Sequence, residues 1–351
     1  MQIRKGVLMK NIFDYTLEQL QNEFIEIGQK KFRALQTYEW LYQKCVQEYS
    51  QMSNLNKALQ ETLANHFLLN VLKIKQKQVS KDGTTKYLFE LPDGNLIETV
   101  LMRMEYGNSV CVTSQVGCNM ACAFCASGLL KKKRNLSAGE MVAQIMMVQY
   151  DLLQQNERVS HVVVMGTGEP FDNYDQVVQF IKVINEPKGL AIGARHITVS
   201  TCGLCNRILD YASIGMQANL AISLHAPNDE IRSQLMPINK RYPMDELRET
   251  IKEYIDKTNR RVTFEYILLK DVNDSIVCAR QLAHYVSGLN AYVNLIPYNS
   301  VDEHGYQASS SQTIEAFAKE LARLKVRATI RKEHGRDIDG ACGQLRAKYQ
   351  G

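Results

Sequence analysis

The sequence predicts an α/β protein: a partial (β/α)6 barrel preceded by a small N-terminal helical domain and a linking β-hairpin. Three observations predict it. Over residues 1–75, TLEQLQNEFIEIG, KKFRALQTYEWLYQKC and NKALQETLANHF place apolar residues every three or four positions, the period of amphipathic helices. From about Lys81 the period falls to two, in KYLFEL and NLIETVLMRM on either side of PDGN, and Asp93-Gly94 between two such runs is a hairpin signal. After Cys125, six β-rich runs alternate with helical ones, a pattern that builds a parallel sheet with helices outside.

Taken in order, residues 1–80 form the helical accessory domain. Trp40, its single tryptophan, shares an apolar face with Phe32, Leu35 and Leu41, which predicts core packing. Residues 81–110 form the hairpin extension, and SVCVTSQV reads as a further strand. Across 111–351 the strands are SHVVVMG, RHITVST, ANLAISLH, RVTFEYILL, YVNLIPYN and RATIRK. The helices are SAGEMVAQIMMVQYDLL, YDQVVQFIKVI, MDELRETIKEYID, IVCARQLAHYVSGL and SQTIEAFAKELARL. In barrels of this kind the chemistry sits at the C-terminal strand ends.

Composition excludes several classes. With 45% hydrophobic and 23% charged residues the chain is ordinary globular material. No run of eighteen apolar residues predicts a membrane span, and MQIRKGVLMKNIFDY lacks the apolar stretch of a signal peptide. Nine cysteines in 351 residues are too sparse and uneven for a disulfide scaffold. They point to a reducing, cytoplasmic setting, where grouped thiols mean metal or redox chemistry. A net charge of +5 permits a nucleic-acid partner without demanding one.

Cys118, Cys122 and Cys125 form CxxxCxxC in GCNMACAFCAS. A structural zinc site takes four ligands, whereas three thiolates on a four-iron cluster leave one iron open. An open iron can bind the amino and carboxylate groups of S-adenosylmethionine (SAM), which lie beside a reducible sulfonium. Phe124 would shield such a cluster. The competing reading is a non-catalytic, zinc-stabilised RNA-binding protein. In MGTGEP, Gly166 and Gly168 let the backbone approach a ligand, and Glu169 can accept from an amino group. Lys131, Lys132, Lys133 and Arg134 follow the cysteine loop, and Arg260-Arg261 and Arg331-Lys332 lie near other strand ends, positions suited to phosphate contacts. Cys202 and Cys205 form a CxxC read as two ordinary thiols, with Cys45 and Cys278 as core residues.

CxxxCxxC opening a β/α barrel resembles the radical-SAM superfamily. CVTSQVGC, KRNLSAGE, VVVMGTGEPFDN, RHITVST, SLHAPND, LMPINKRYP, VNLIPYN and DIDGACGQL resemble the RlmN/Cfr family of RNA adenine methyltransferases, closer to the RlmN type, over nearly the whole chain. The resemblance implies a [4Fe-4S] cluster on Cys118, Cys122 and Cys125, and two SAM molecules per turnover. It implies SAM contacts from Gly168, Glu169, Ser200, Ser223, His225 and Asn299. The implied product is C2-methylated adenosine in the peptidyl-transferase region of 23S rRNA and in the anticodon loop of tRNA. A Cfr-like enzyme methylating C8 and conferring antibiotic resistance would carry the same motifs. Cys342 is the implied methyl carrier, through an S-methylcysteine and a transient protein–RNA thioether. Cys111 is the implied resolving thiol, leaving a Cys111–Cys342 disulfide, and Glu98 the proton acceptor. By residue type alone, Cys111 reads as an inward strand residue, Cys342 as an apolar thiol and Glu98 as a solvent-facing strand carboxylate. Glu98 as a base would be desolvated, with its pKa raised. The implied partners are 23S rRNA, tRNA and an electron donor such as flavodoxin or ferredoxin, with the helical front docking RNA. Gly340 stands where the family often has alanine, Thr167 where it often has methionine, and Cys202-x-x-Cys205 is not general to it.

Overall fold

The structure, a computed structural model, describes residues 3–4, 7–129, 131–299, 304–332, 334–335 and 337–338. They fall into two units, the first made of Met1–Val116, Arg134–Gly166 and Asn173–Ile197, the second of Gly117–Lys133, Thr167–Asp172 and Thr198–Gly351.

In the first unit, helices α1 (Leu17–Glu26), α2 (Lys31–Tyr42) and α3 (Lys57–His66) begin where the sequence supplies caps. Thr16 and Gln19 form a capping box on α1, and the Asn56 side chain accepts from Leu59 N–H on α3. The buried face of α2 is Ala34, Thr37, Tyr38, Leu41 and Tyr42, which corrects the face expected from the sequence. Phe32 is 50% exposed, and half-buried Trp40 donates its indole N–H to Asn54 Oδ1 at 2.6 Å. The tyrosines take the core because their rings are apolar and only the hydroxyl needs a partner; Tyr38 reaches the Val183 carbonyl at 3.4 Å.

Four strands follow as an antiparallel meander: β1 (Lys73–Val79), β2 (Thr85–Glu90), β3 (Leu96–Met104) and β4 (Gly107–Cys111). The PDGN turn between β2 and β3 is present, with Gly94 at φ +79°. The sequence pattern does not predict β1. KIKQKQV has no buried residue on either face, and its lysines suit an edge strand that must not recruit a partner. Strand β5 (Val159–Val164) pairs parallel to β4. Helices α4 (Ala138–Leu153), opened by a Ser137–Glu140 capping box, and α5 (Tyr174–Asn185) complete the unit.

Strand register decides which side chains meet. Lys86 is opposite Val100, and Val100 is opposite Cys111. Directly paired residues share a sheet face, as do residues two apart on one strand. Lys86, Glu98, Val100 and Cys111 therefore stand on one face of the meander.

The second unit carries β6 (Ile197–Thr201, apart from its first residue), β7 (Asn219–Ser223), β8 (Val262–Leu268), β9 (Ala291–Pro297) and β10 (Ala328–Ile330), each parallel to the next. Its helices are α6 (Cys205–Ser213), α7 (Asp229–Leu235), α8 (Met244–Thr258), α9 (Ile276–Val286) and α10 (Ser311–Arg323). All six expected strands and all five expected helices of the alternating run are found. Helices α6 and α7 are additional, and at nine and seven residues they are too short to display a helical period clearly.

Beyond the end of β4, Thr113 is clamped by the buried Gln144 of α4. Gln144 Oε1 accepts from Thr113 N–H at 2.9 Å and from Thr99 Oγ1 at 2.8 Å, while its Nε2 donates to the Thr113 carbonyl at 2.9 Å. Gln144→Leu removes three buried hydrogen bonds at similar volume. It is expected to lower stability by about 2–4 kcal/mol, read as a reduced urea midpoint at unchanged m-value.

Candidate active site

In the second unit, Cys118, Cys122 and Cys125 lie on one loop whose sharp course uses Gly117 at φ +83° and Ala121 at φ +53°. Cys125 N–H donates to the Cys122 carbonyl at 3.2 Å, and Gly128 N–H to the Cys125 carbonyl at 3.0 Å. The loop is pinned from outside. Ala123 N–H donates to the Leu235 carbonyl at the end of α7 at 2.9 Å, and His304 Nε2 is 3.1 Å from the Cys125 carbonyl. Phe124, Leu235, Met236, Leu269 and Tyr298 form an apolar cluster against which Cys122 and Cys125 pack.

The thiol chemistry tests whether an iron–sulfur cluster fits here. Among the described residues no three His, Cys, Asp or Glu side chains are close enough together to hold a single metal ion. Burial pushes the Cys118 thiol up to about 11 and that of Cys122 well above its ordinary range, and the neighbouring cysteines push both further. Burial and neighbouring negative charge disfavour the thiolates of Cys118 and Cys122, so a cationic group bound beside them is what would draw off their protons. The residues present fit a four-iron core held by three thiolates.

The strand ends carry the remaining expected residues of this unit. Glu169 is buried, with Oε2 accepting from Cys202 N–H at 2.8 Å and Oε1 from Phe171 N–H at 3.0 Å. Burial raises its pKa, and hydrogen bonds from Cys202, Thr201 and Phe171 oppose the rise. Gly168 before it sits at φ +115°, where a side chain would strain the backbone. Ser200 and Ser223 hydroxyls are 3.3 Å apart at the ends of β6 and β7. His225 holds φ +56°, unusual for a residue with a Cβ and most often seen where function requires it. Its Nδ1 accepts from Ile267 N–H at 3.1 Å, so the ring proton is on Nε2, and Phe124 meets the ring edge-on at 4.9 Å. Burial, assisted by Arg232, pushes the imidazole down to about 3. Asn299 is exposed beyond the end of β9.

Cys202 lies buried beside Glu169, and Cys205 begins α6 with its thiol 3.7 Å from the Gly203 carbonyl.

Glu98 and Cys111 belong to the first unit and share the meander face described above. The Glu98 side chain is buried at 4% exposure but not solitary, because Lys86 Nζ, fully buried, sits 3.0 Å from Oε2. The solvent-facing alternative is overturned. The expected desolvated carboxylate is an ion pair instead, since an ionised group out of water needs a counter-charge. Sequence reasoning missed Lys86. The available signal was a lysine in one arm of the hairpin set diagonally across from Glu98 in the other, both among residues that the fold buries. Cys342 and Gly340 lie outside the described residues, and so does the Cys111–Cys342 disulfide.

The basic residues separate into different roles. Lys132 pairs with Asp172 at 2.6 Å, and Arg134 grips Glu140 through both Nη atoms and Asp93 through Nε at 2.6 Å. Arg134 is thus a clamp between elements of the first unit. Arg260 and Arg261 precede β8, with Arg260 on Asn219 and Arg261 over the Tyr292 ring. They lie at the N-terminal strand ends, away from Ser223 and His225, which corrects their expected place near the site. Arg331-Lys332 follow β10 at the C-terminal end.

Comparison with known proteins agrees with this geometry. The Radical SAM superfamily profile matches residues 112–279, and that of the Ribosomal RNA large subunit methyltransferase N-terminal domain matches residues 10–69. The probable dual-specificity RNA methyltransferase RlmN of Spiroplasma citri is 56% identical over 343 residues, covering 98% of this chain and 99% of the relative. That of Enterococcus faecalis (strain ATCC 700802 / V583) is 58% identical over 344 residues, covering 97% and 96%. The crystal structure of a radical SAM methyltransferase from Sphaerobacter thermophilus matches with a TM-score of 0.93 at 41% identity, covering 95% of this chain and 98% of that one. A three-thiol loop on this fold, with these relatives, defines a radical-SAM methyltransferase, a class that uses SAM and a four-iron cluster. The chain belongs to the RlmN family.

Removing one partner of a buried ion pair strands the other charge. Lys86→Met is expected to cost about 3–5 kcal/mol of stability, and the Lys86→Met/Glu98→Gln double variant less than the single one. Chemical denaturation of the four members of this cycle measures both.

Proposed function

We propose that this enzyme adds a methyl group to C2 of an adenosine in the peptidyl-transferase region of 23S rRNA and to C2 of an anticodon-loop adenosine in tRNA, using two SAM molecules per turnover. The names of the RlmN relatives supply the RNA and the dual specificity. The observation in this chain that carries the reading is the shared face of Glu98 and Cys111. A proton acceptor and a resolving thiol must serve one base, and strand register sets them side by side.

C2 lies between two ring nitrogens and is too electron-poor to displace a methyl group from SAM. Cys118, Cys122 and Cys125 would hold a four-iron cluster, which when bound would supply the electron that breaks the sulfonium bond of SAM, and hence a radical able to take hydrogen from a methyl group. Cys342 accepts a methyl group from the other SAM by displacement, giving S-methylcysteine. Once that carbon is bonded to C2, the adduct would give up its one unpaired electron to the redox centre that supplied the first, and the RNA is tethered to the protein. Glu98 takes the C2 proton, and the Cys111 thiolate attacks the Cys342 sulfur. The carbon–sulfur bond breaks, its electron pair returns to the carbon, which gains a proton, and a Cys111–Cys342 disulfide remains. Glu169, Gly168, Ser200, Ser223, His225 and Asn299 line the strand ends that would hold SAM.

The adenosine must leave its stack to reach these groups, which suits looped RNA. Residues 1–80 would dock that RNA and 81–110 would link them to the barrel at 111–351. We place the enzyme in the cytoplasm, with flavodoxin or ferredoxin as electron donor.

Nucleoside mass spectrometry of 23S rRNA and tRNA from a deletion strain, with and without the restored enzyme, tests the reading. 2-Methyladenosine should return with the enzyme; 8-methyladenosine as the sole product would overturn it. Cys342→Ala should load about four irons and give no methylated RNA. Cys111→Ala should leave protein covalently attached to RNA on a denaturing gel, and absence of any adduct would refute its resolving role.

A further inference from the structure

Helix α7 buries a full positive charge. Arg232 is 0% exposed. Its Nη2 donates to the Cys202 carbonyl at 2.7 Å and reaches the Ser223 carbonyl at 3.5 Å, its Nη1 donates to Asn239 Oδ1 at 2.8 Å, and its Nε to the Leu224 carbonyl at 3.3 Å. Every one of these acceptors is neutral. Among the described residues no carboxylate pairs with the guanidinium directly; Glu169 and Asp229 reach it only through the Cys202 backbone and the Asn239 amide. Neutral acceptors satisfy N–H groups but do not cancel charge, and an uncompensated buried cation is strongly destabilising.

The cysteine loop is anchored on the same helix. One turn after Arg232, the Leu235 carbonyl accepts from Ala123 N–H in the cysteine loop. Cys202, whose carbonyl Arg232 grips, is in the apolar cluster against which Cys122 and Cys125 pack. Arg232 is also among the charges that act on the Cys122 thiol. An oxidised four-iron core with three thiolates carries one net negative charge, and a second after gaining an electron. We propose that Arg232 is the built-in counter-charge of the group held by Cys118, Cys122 and Cys125, and that it sets the potential at which that group accepts an electron. The proposal rests on the reading of the cysteine loop as a cluster site. Arg232 is a positioning residue here: it acts on the cluster and touches no substrate.

A nearby cation favours the more negative, reduced form, so removing it makes reduction harder. The test uses the full chain reconstituted anaerobically with iron and sulfide, with iron content measured and the cluster followed by electron paramagnetic resonance during a redox titration. Arg232→Gln should lower the reduced-to-oxidised ratio at a fixed potential about tenfold, ~59 mV for a one-electron couple. Arg232→Lys keeps the charge but loses the planar fork, and should stay within about threefold of the parent. A cluster held by the Lys variant and lost from the Gln variant would equally support the counter-charge. Equal potentials in all three proteins, equal shifts in both variants, or loss of the cluster from both would overturn it and leave Arg232 a structural fork. Failure of the parent itself to bind iron would instead refute the cluster reading.

Discussion

The backbone of Cys202 is held on both sides by buried charged groups. Its N–H is fixed by the Glu169 carboxylate and its carbonyl by the Arg232 guanidinium. This residue lies just past the end of β6, where the chain leaves the sheet. The same guanidinium binds carbonyls at the end of β7. Two neighbouring strand ends are therefore fixed by one side chain, and Glu169 is oriented by the residue that both side chains hold. A low-dielectric interior strengthens each of these bonds and makes loss of any one costly.

The first unit solves a related problem differently. There the opposite charges meet directly, Lys86 against Glu98, and sheet register rather than loop geometry places them. A slip of one residue in β2 against β3 would turn Lys86 to the opposite face. The antiparallel turn at Asp93-Gly94 and the Gln144 clamp on Thr113 both oppose such a slip. Position is thus set by backbone pairing, and the side chains inherit it.

The long amphipathic helices, the hairpin turn and the six β-rich runs were legible because each repeats its period several times. The cysteine loop and the strand-end residues were legible because their spacing and neighbouring words are distinctive. What escaped did so for physical reasons. Strand β1 has no buried face to advertise. Helices α6 and α7 are only two turns long. The tyrosines of α2 count as polar in a pattern but behave as core. Lys86 and Arg232 look like surface cations in any one-dimensional reading, because their burial depends on partners far along the chain. The place of Arg260 and Arg261 at the wrong strand ends follows from strand direction, which composition cannot express.

His225 combines an unusual backbone angle with a ring that resists protonation down to about pH 3. Its Nδ1 is committed to a main-chain donor, and its neighbour Arg232 already supplies one positive charge. Such an imidazole offers a hydrogen without ever offering a charge. A ring of this kind keeps the same charge in mildly acidic and mildly alkaline surroundings alike, so the strand ends beside it do not change their electrostatic character through this group.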